Sequence, residues 1–121
     1  NVNIVQKYGG SVPTWGISES PLVDGDRLIV MPGGRGAAVV ALDKRTGNLI
    51  WKSQSDSVGY SSAIAVDSPD GRLIIAFTGD GVLGLLASNG ELLWRYDKVS
   101  NSTANIATPI HSNGYIFVSS D

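Results

Sequence analysis

The run Ala41-Leu42-Asp43-Lys44-Arg45-Thr46-Gly47-Asn48-Leu49-Ile50-Trp51 decides how the rest of the chain is read. An apolar stretch runs into a polar turn, the turn closes on glycine, and a second apolar stretch ends in tryptophan. The same order returns at Ser88-Asn89-Gly90 and Trp94. Gly47 and Gly90 are 43 residues apart, as are Trp51 and Trp94. Other turns keep the beat. Asp24-Gly25, Asp70-Gly71 and Asn113-Gly114 each separate two apolar runs, and such pairs tolerate the positive φ of tight hairpins. Gly71 to Gly114 is again 43, while Gly25 to Gly71 is 46, the excess falling on an inserted Ser68-Pro69-Asp70 turn. Ser20-Pro21 and Thr108-Pro109 lie 88 apart, two periods of 44.

Between the turns, apolar residues come in runs of strand length at 27–31, 37–42, 48–51, 63–66, 72–77, 82–87, 91–96 and 115–118. Val, Ile, Leu and aromatics fill them, and no window sustains a helical apolar period with caps. The reading is all-β, built of antiparallel hairpins. A period in the low forties holding four short strands is the signature of a β-propeller blade. On that period one blade spans 20–53, with strands at 20–23, 27–31, 37–42 and 48–52. A second spans 61–97, with strands at 62–66, 72–77, 82–87 and 91–96. Residues 107–121 supply the first half of a third, with strands at 107–111 and 115–119. Residues 1–19 are a linker in which 2–5 has strand character. The expected architecture is a single partial propeller domain over 1–121, unless oligomerisation completes it.

Composition narrows the function. Nine basic and eleven acidic groups leave a net charge of −2 over 121 residues, without the basic patch that nucleic acid or an anionic membrane requires. Cysteine is absent and His111 is the single histidine. Thiolate zinc sites, disulfides, cysteine nucleophiles and two-imidazole sites are therefore excluded. No apolar run approaches the ~20 residues that span a bilayer, and no stretch has the regions of a signal peptide. Gly33-Gly34-Arg35-Gly36 lacks a Gly-Lys-Ser/Thr ending and has strands on both sides, so it reads as a hairpin rather than a phosphate loop. Asp24, Asp26, Asp43, Asp70 and Asp80 lack the alternation of a calcium loop and read as turn residues. Asn101-Ser102-Thr103 matches a glycosylation sequon within a polar linker.

Residues 41–51 resemble the tryptophan docking motif of the pyrroloquinoline-quinone-like (PQQ-like) repeat family. That family includes quinoprotein dehydrogenases and BamB-like outer-membrane assembly factors. Pro13-Thr14-Trp15-Gly16 and Ser20-Pro21-Leu22-Val23-Asp24-Gly25-Asp26 look like its bacterial, BamB-like members. The resemblance covers about residues 8–121. The second repeat reads as weaker, with Ala87 in the aspartate's place and a turn one residue shorter. Members carry seven or eight blades, so this chain resembles an internal piece of one.

Repeat logic assigns Trp51 and Trp94 to packing between blades, with both mostly buried and equivalently placed. Gly47 and Gly90 are assigned to a backbone conformation closed to side chains, and Asp43 to the docking turn. Trp15, Ser18, Glu19, Tyr60, Ser61, Asn105 and His111 precede or enter the first strand of each blade, which lines the channel. They are the candidates for a binding face at one funnel end. The expected function is a non-catalytic binding or protein-assembly scaffold without metal or cofactor. Its partner is another protein or its own subunits completing blades as a homo-oligomer. The resemblance implies a periplasmic or outer-membrane-associated setting without membrane insertion. The alternative is a fragment of a PQQ-dependent dehydrogenase, for which the sequence lacks adjacent cysteines and a recognisable carboxylate base.

Overall fold

The computed structural model describes residues 3–13, 16, 18–98, 108–112 and 115–117. Two four-stranded antiparallel sheets follow each other along the chain. Sheet one is β1 (Leu22–Asp24), β2 (Arg27–Val30), β3 (Val39–Asp43) and β4 (Leu49–Ser53), paired in chain order. Sheet two is β5 (Ile64–Ser68), β6 (Gly71–Phe77), β7 (Val82–Leu86) and β8 (Leu92–Tyr96), paired the same way. Two further strands, β9 (Ile110–Ser112) and β10 (Tyr115–Phe117), pair antiparallel as a third sheet. Up-and-down meanders of this kind are propeller blades, and the fold is nearly all β.

The third strands are apolar without alternation because both of their faces are covered. Val39 and Ala41 join Ile29, Met31 and Trp51 against Ala63, Ile74, Ala76, Leu83, Leu85 and Ala87 of sheet two. Val40 and Leu42 belong to a separate cluster on the other side of sheet one. Val66, Leu73, Ile75, Phe77 and Val82 form a third cluster, against which Trp94 and Ile116 pack. Burying large aliphatic and aromatic side chains stabilises by about 1.5–3 kcal/mol each. The stack of sheets is therefore held face to face.

The two sheets share their register and turn bonding. Ala41 pairs with Trp51 and Gly84 with Trp94, and each pair is followed at once by a register shift, at Ala41/Leu42 and Gly84/Leu85. The turns also match in length. Gly47 N–H donates to Asp43 O and Gly90 N–H to Leu86 O, both at 2.8 Å. Leu86 thus stands at Asp43's place, and the second turn is not shortened. Thr46 and Asn89, also 43 apart, each accept from a backbone N–H two residues on. The β5–β6 hairpin is longer than the β1–β2 hairpin, gaining the pairs Asp67↔Arg72 and Ser68↔Gly71.

Three expectations change. The first strands begin at Leu22, Ile64 and Ile110 rather than at 20, 62 and 107. The residues ahead of them bond between sheets instead. Ser20 N–H donates to Ser62 Oγ (2.8 Å), and Ser62 N–H to Thr108 Oγ1 (3.2 Å). Second, the described part of 2–5 is not a strand. Ile4–Lys7 form a short helix, α1, capped by Asn3, whose Oδ1 accepts the Gln6 N–H at 3.1 Å. Ile4 and Tyr8 pack on Val30, Ala37, Val40 and Leu42. Short apolar runs suit helix or strand equally, and here the bare side of sheet one decides. Third, Trp51 is buried while Trp94 is half-buried. The turn Asn113-Gly114 lies outside the described residues, as do Trp15 and Asn105.

Candidate functional site

The docking geometry is complete at one place. Trp51 leaves β4, is 6% exposed, and lays its ring over Gly90 of sheet two. Its Nε1–H donates to Ala87 O at 2.8 Å, so the buried indole donor is satisfied. Ser53 Oγ–H donates to Gly90 O at 2.7 Å. A Cβ on Gly90 would lie 2.5 Å from the Trp51 ring, and its φ of +77° disfavours any side chain. Gly47 has the same φ, +76°, but nothing within 4 Å of where a Cβ would stand. Asp43 Oδ1 accepts the N–H groups of Arg45 and Thr46 at 2.8 and 3.0 Å. Those bonds, Thr46's first, hold its carboxyl below the usual carboxylate range.

Antiparallel pairing puts two sets of loops at opposite ends of the sheets. One end carries the residues before β1 and β5, the loops 31–38 and 78–81, and the linker 54–63. The other carries the turns 25–26, 44–48, 69–70 and 87–91. Ser18, Glu19, Tyr60 and Ser61 gather at the first end. Ser18 Oγ–H donates to Tyr60 O at 3.1 Å, which ties the approach to sheet one to that of sheet two. Ser61 is buried, and its hydroxyl donates to Phe77 O at 2.9 Å. Glu19 is half-buried, and its Oε1 accepts the Met31 N–H at 2.7 Å. Burial pushes its pKa up to about 7, opposed by the Met31 bond.

His111 does not join them. It is exposed on β9 and, with Trp94, Ile116, Asp67 and Asp70, lines a cavity of about 240 Å³ between sheets two and three. The long β5–β6 hairpin forms one wall, so this cavity faces the opposite end of the sheets.

Sequence reasoning missed Gln54 and Asp56. Gln54, just after β4, has φ +63°, the one positive φ outside glycine among the described residues. Its carbonyl accepts from Ala38 N–H at 3.1 Å and its Nε2–H donates to Ser53 Oγ, also at 3.1 Å. These bonds hold a conformation that L side chains seldom take. Asp56 is a buried carboxylate, tied to Arg95 at both oxygens and to the Thr78 hydroxyl at 2.7 Å. Hydrogen bonding to Asp56 is the main reason the Arg95 guanidinium holds its proton more tightly than usual. Neither residue keeps the repeat beat, which is why no pattern pointed to them. Among the described residues no three His, Cys, Asp or Glu side chains cluster as metal ligands, and no helix is long and apolar enough to cross a membrane.

Successive four-stranded meanders, locked face to face by an indole over a glycine, define a β-propeller of the PQQ-like class. A family model described as outer membrane protein assembly factor BamB matches residues 11–121, and the chain belongs to that family. The outer membrane protein assembly factor BamB of Yersinia pestis is 30% identical over 80 residues, which is 66% of this chain and 19% of that protein. The solved structure of BamB from Moraxella catarrhalis matches 85% of this chain and 30% of that one, with a TM-score of 0.61 and 22% identity. The chain thus spans about a fifth of the curated relative and under a third of the solved one.

Proposed function

We propose that the chain is a non-catalytic stretch of propeller that serves as a protein-assembly scaffold. Its binding face is the end bearing Ser18, Glu19 and Tyr60, with Trp15 and Asn105 assigned to the same face by sequence. The observation that carries this is the stitching of that end across sheets. Ser18 meets Tyr60, Ser20 meets Ser62 and Ser62 meets Thr108, so three sheets present one continuous polar surface. Loops on a rigid scaffold are where propellers recognise partners. Membership of the BamB family and the likeness to an outer membrane protein assembly factor of Yersinia pestis support outer-membrane protein assembly as the process, with a periplasmic or outer-membrane-associated setting by family resemblance. Trp51 with Gly90, and Trp94 and Gly47 with neighbouring blades, act as docking elements, and Asp43 shapes the turn that carries Gly47. The half-open junction at Trp94, which is only half-buried beside Ile116, leads us to propose self-association of the isolated chain, which light scattering tests directly.

The binding reading is tested by photo-cross-linking from position 18 and from position 45, at opposite ends, with purified outer-membrane assembly complex. Adducts from 18 alone support it. Adducts from 45 alone, or from neither, overturn it. In parallel, titration with pyrroloquinoline quinone and Ca²⁺ is expected to leave absorbance and Tm unchanged, and saturable binding would move the assignment to a dehydrogenase fragment.

A further inference from the structure

Sheets one and two offer the same position twice, directly before a serine whose backbone N–H donates to a hydroxyl of the next sheet. Ser20 and Ser62 are those serines, and Glu19 and Ser61 precede them. A short, weakly polar residue satisfies the site in sheet two, where the Ser61 hydroxyl donates to Phe77 O. Sheet one instead carries a carboxylate, whose partner there is a single backbone N–H, that of Met31. Among the described residues, no lysine, arginine or histidine pairs with Glu19. The two buried aspartates contrast with it. Asp24 is met by Arg72 at 2.8 Å, and Asp56 is met by Arg95. A half-buried carboxylate without a cation costs stability that a serine in the same place does not. Its pKa near 7 reflects that cost.

Around it stand Ser18, whose hydroxyl is turned onto Tyr60 O, and the loop that begins at Met31. These groups bond to the backbone and supply no positive charge to Glu19.

We infer that Glu19 anchors a cationic group, the ammonium or guanidinium of a lysine or arginine in an extended segment of the partner protein, at the stitched end of the sheets. The inference rests on the assignment of that end as the binding face. A charge-assisted bond to Glu19 would complete the pairing that Asp24 and Asp56 find within the chain. It would also draw the carboxyl back toward its ionised form.

The test uses the full 121-residue chain and fluorescein-labelled octapeptides with one central arginine or lysine, against matched peptides carrying citrulline or norleucine there. Fluorescence anisotropy is expected to show saturable binding of the basic peptides, at least tenfold weaker for the neutral ones. Glu19→Gln is expected to remove that tenfold preference and Glu19→Asp to keep part of it. Circular dichroism and Tm check that the variants stay folded. Equal preference in the wild-type chain and Glu19→Gln overturns the role of Glu19 while leaving the face assignment standing. Basic-peptide binding that survives Ser18→Trp and Tyr60→Ala but is lost with Asp70→Lys places the site at the other end and overturns both. Absence of binding by every basic peptide overturns the inference.

Discussion

The junction between sheets one and two is closed, and the junction between sheets two and three is half open. In the first, the Trp51 ring covers Gly90 and its N–H reaches Ala87 O. Arg72 also crosses back to Asp24, with the Asp24 bond the main reason its guanidinium holds its proton more tightly than usual. In the second, Trp94 occupies the matching position on β8 but meets Ile116 and a cavity of about 240 Å³. The two tryptophans sit in the same local frame, each opposite a small residue beside a register shift. Their environments differ in what the neighbouring sheet places against them, Gly90 and Ala87 against Trp51 but Ile116 against Trp94. A docking tryptophan is therefore half of an interaction, and its burial belongs to the neighbouring blade.

The largest way to break this contrast is Trp51→Ala, expected to cost about 3–5 kcal/mol in urea unfolding, as for a large buried aromatic. Trp94→Ala should cost about 1–2 kcal/mol, since part of its ring already meets solvent. Equal losses at both positions would show that the two junctions are closed alike.

The two turn glycines sharpen it. Gly90→Ala meets both the positive φ and the Trp51 ring, and about 2–4 kcal/mol is expected. Gly47→Ala meets the φ alone, with about 1 kcal/mol expected. A Gly47 variant as damaging as the Gly90 one would mean that something already rests on that face.

Glu19 separates the polar end from the junctions. Its folded pKa, about 7, lies above the ordinary 4.5. The folded state therefore holds the proton more tightly than the unfolded one. The stabilisation from that proton is complete below about pH 4.5 and is lost as pH rises through 7. Wild-type stability should fall by roughly 1–3 kcal/mol relative to Glu19→Gln between those limits. Parallel pH curves for the two proteins would contradict the burial of this carboxyl.

The smallest effect is expected at the ion pair across the first junction. Asp24 is 8% exposed, but Arg72 lies largely in solvent and shares itself with Asp67 at 3.0 Å. Asp24→Asn should cost about 1 kcal/mol, and less as salt is added. A loss of several kcal/mol, insensitive to salt, would make this pair a main determinant of the closed junction.

Much of the fold was legible because a blade is a local object. Hairpin turns, strand lengths and the 43-residue beat all lie within one period, and the strands appear where those signals put them to within a few residues. The candidate face was legible only in part. Ser18, Glu19, Tyr60 and Ser61 gather at one end, whereas His111 lies beside the β5–β6 hairpin at the other. Position before a strand does not reveal which of its ends a side chain serves.

The sequence by itself determined the all-β class, the period, and the equivalence of Trp51 with Trp94 and of Gly47 with Gly90, because these depend on turns and on the alternation of short strands. Only the tertiary structure decided that Ile4–Lys7 would be a helix, that Ser20 and Ser62 would bond to the next sheet rather than extend a strand, and that Glu19 would be left without a cation. Each of those outcomes depends on what a neighbouring sheet places within reach, and no local pattern along the chain carries that information.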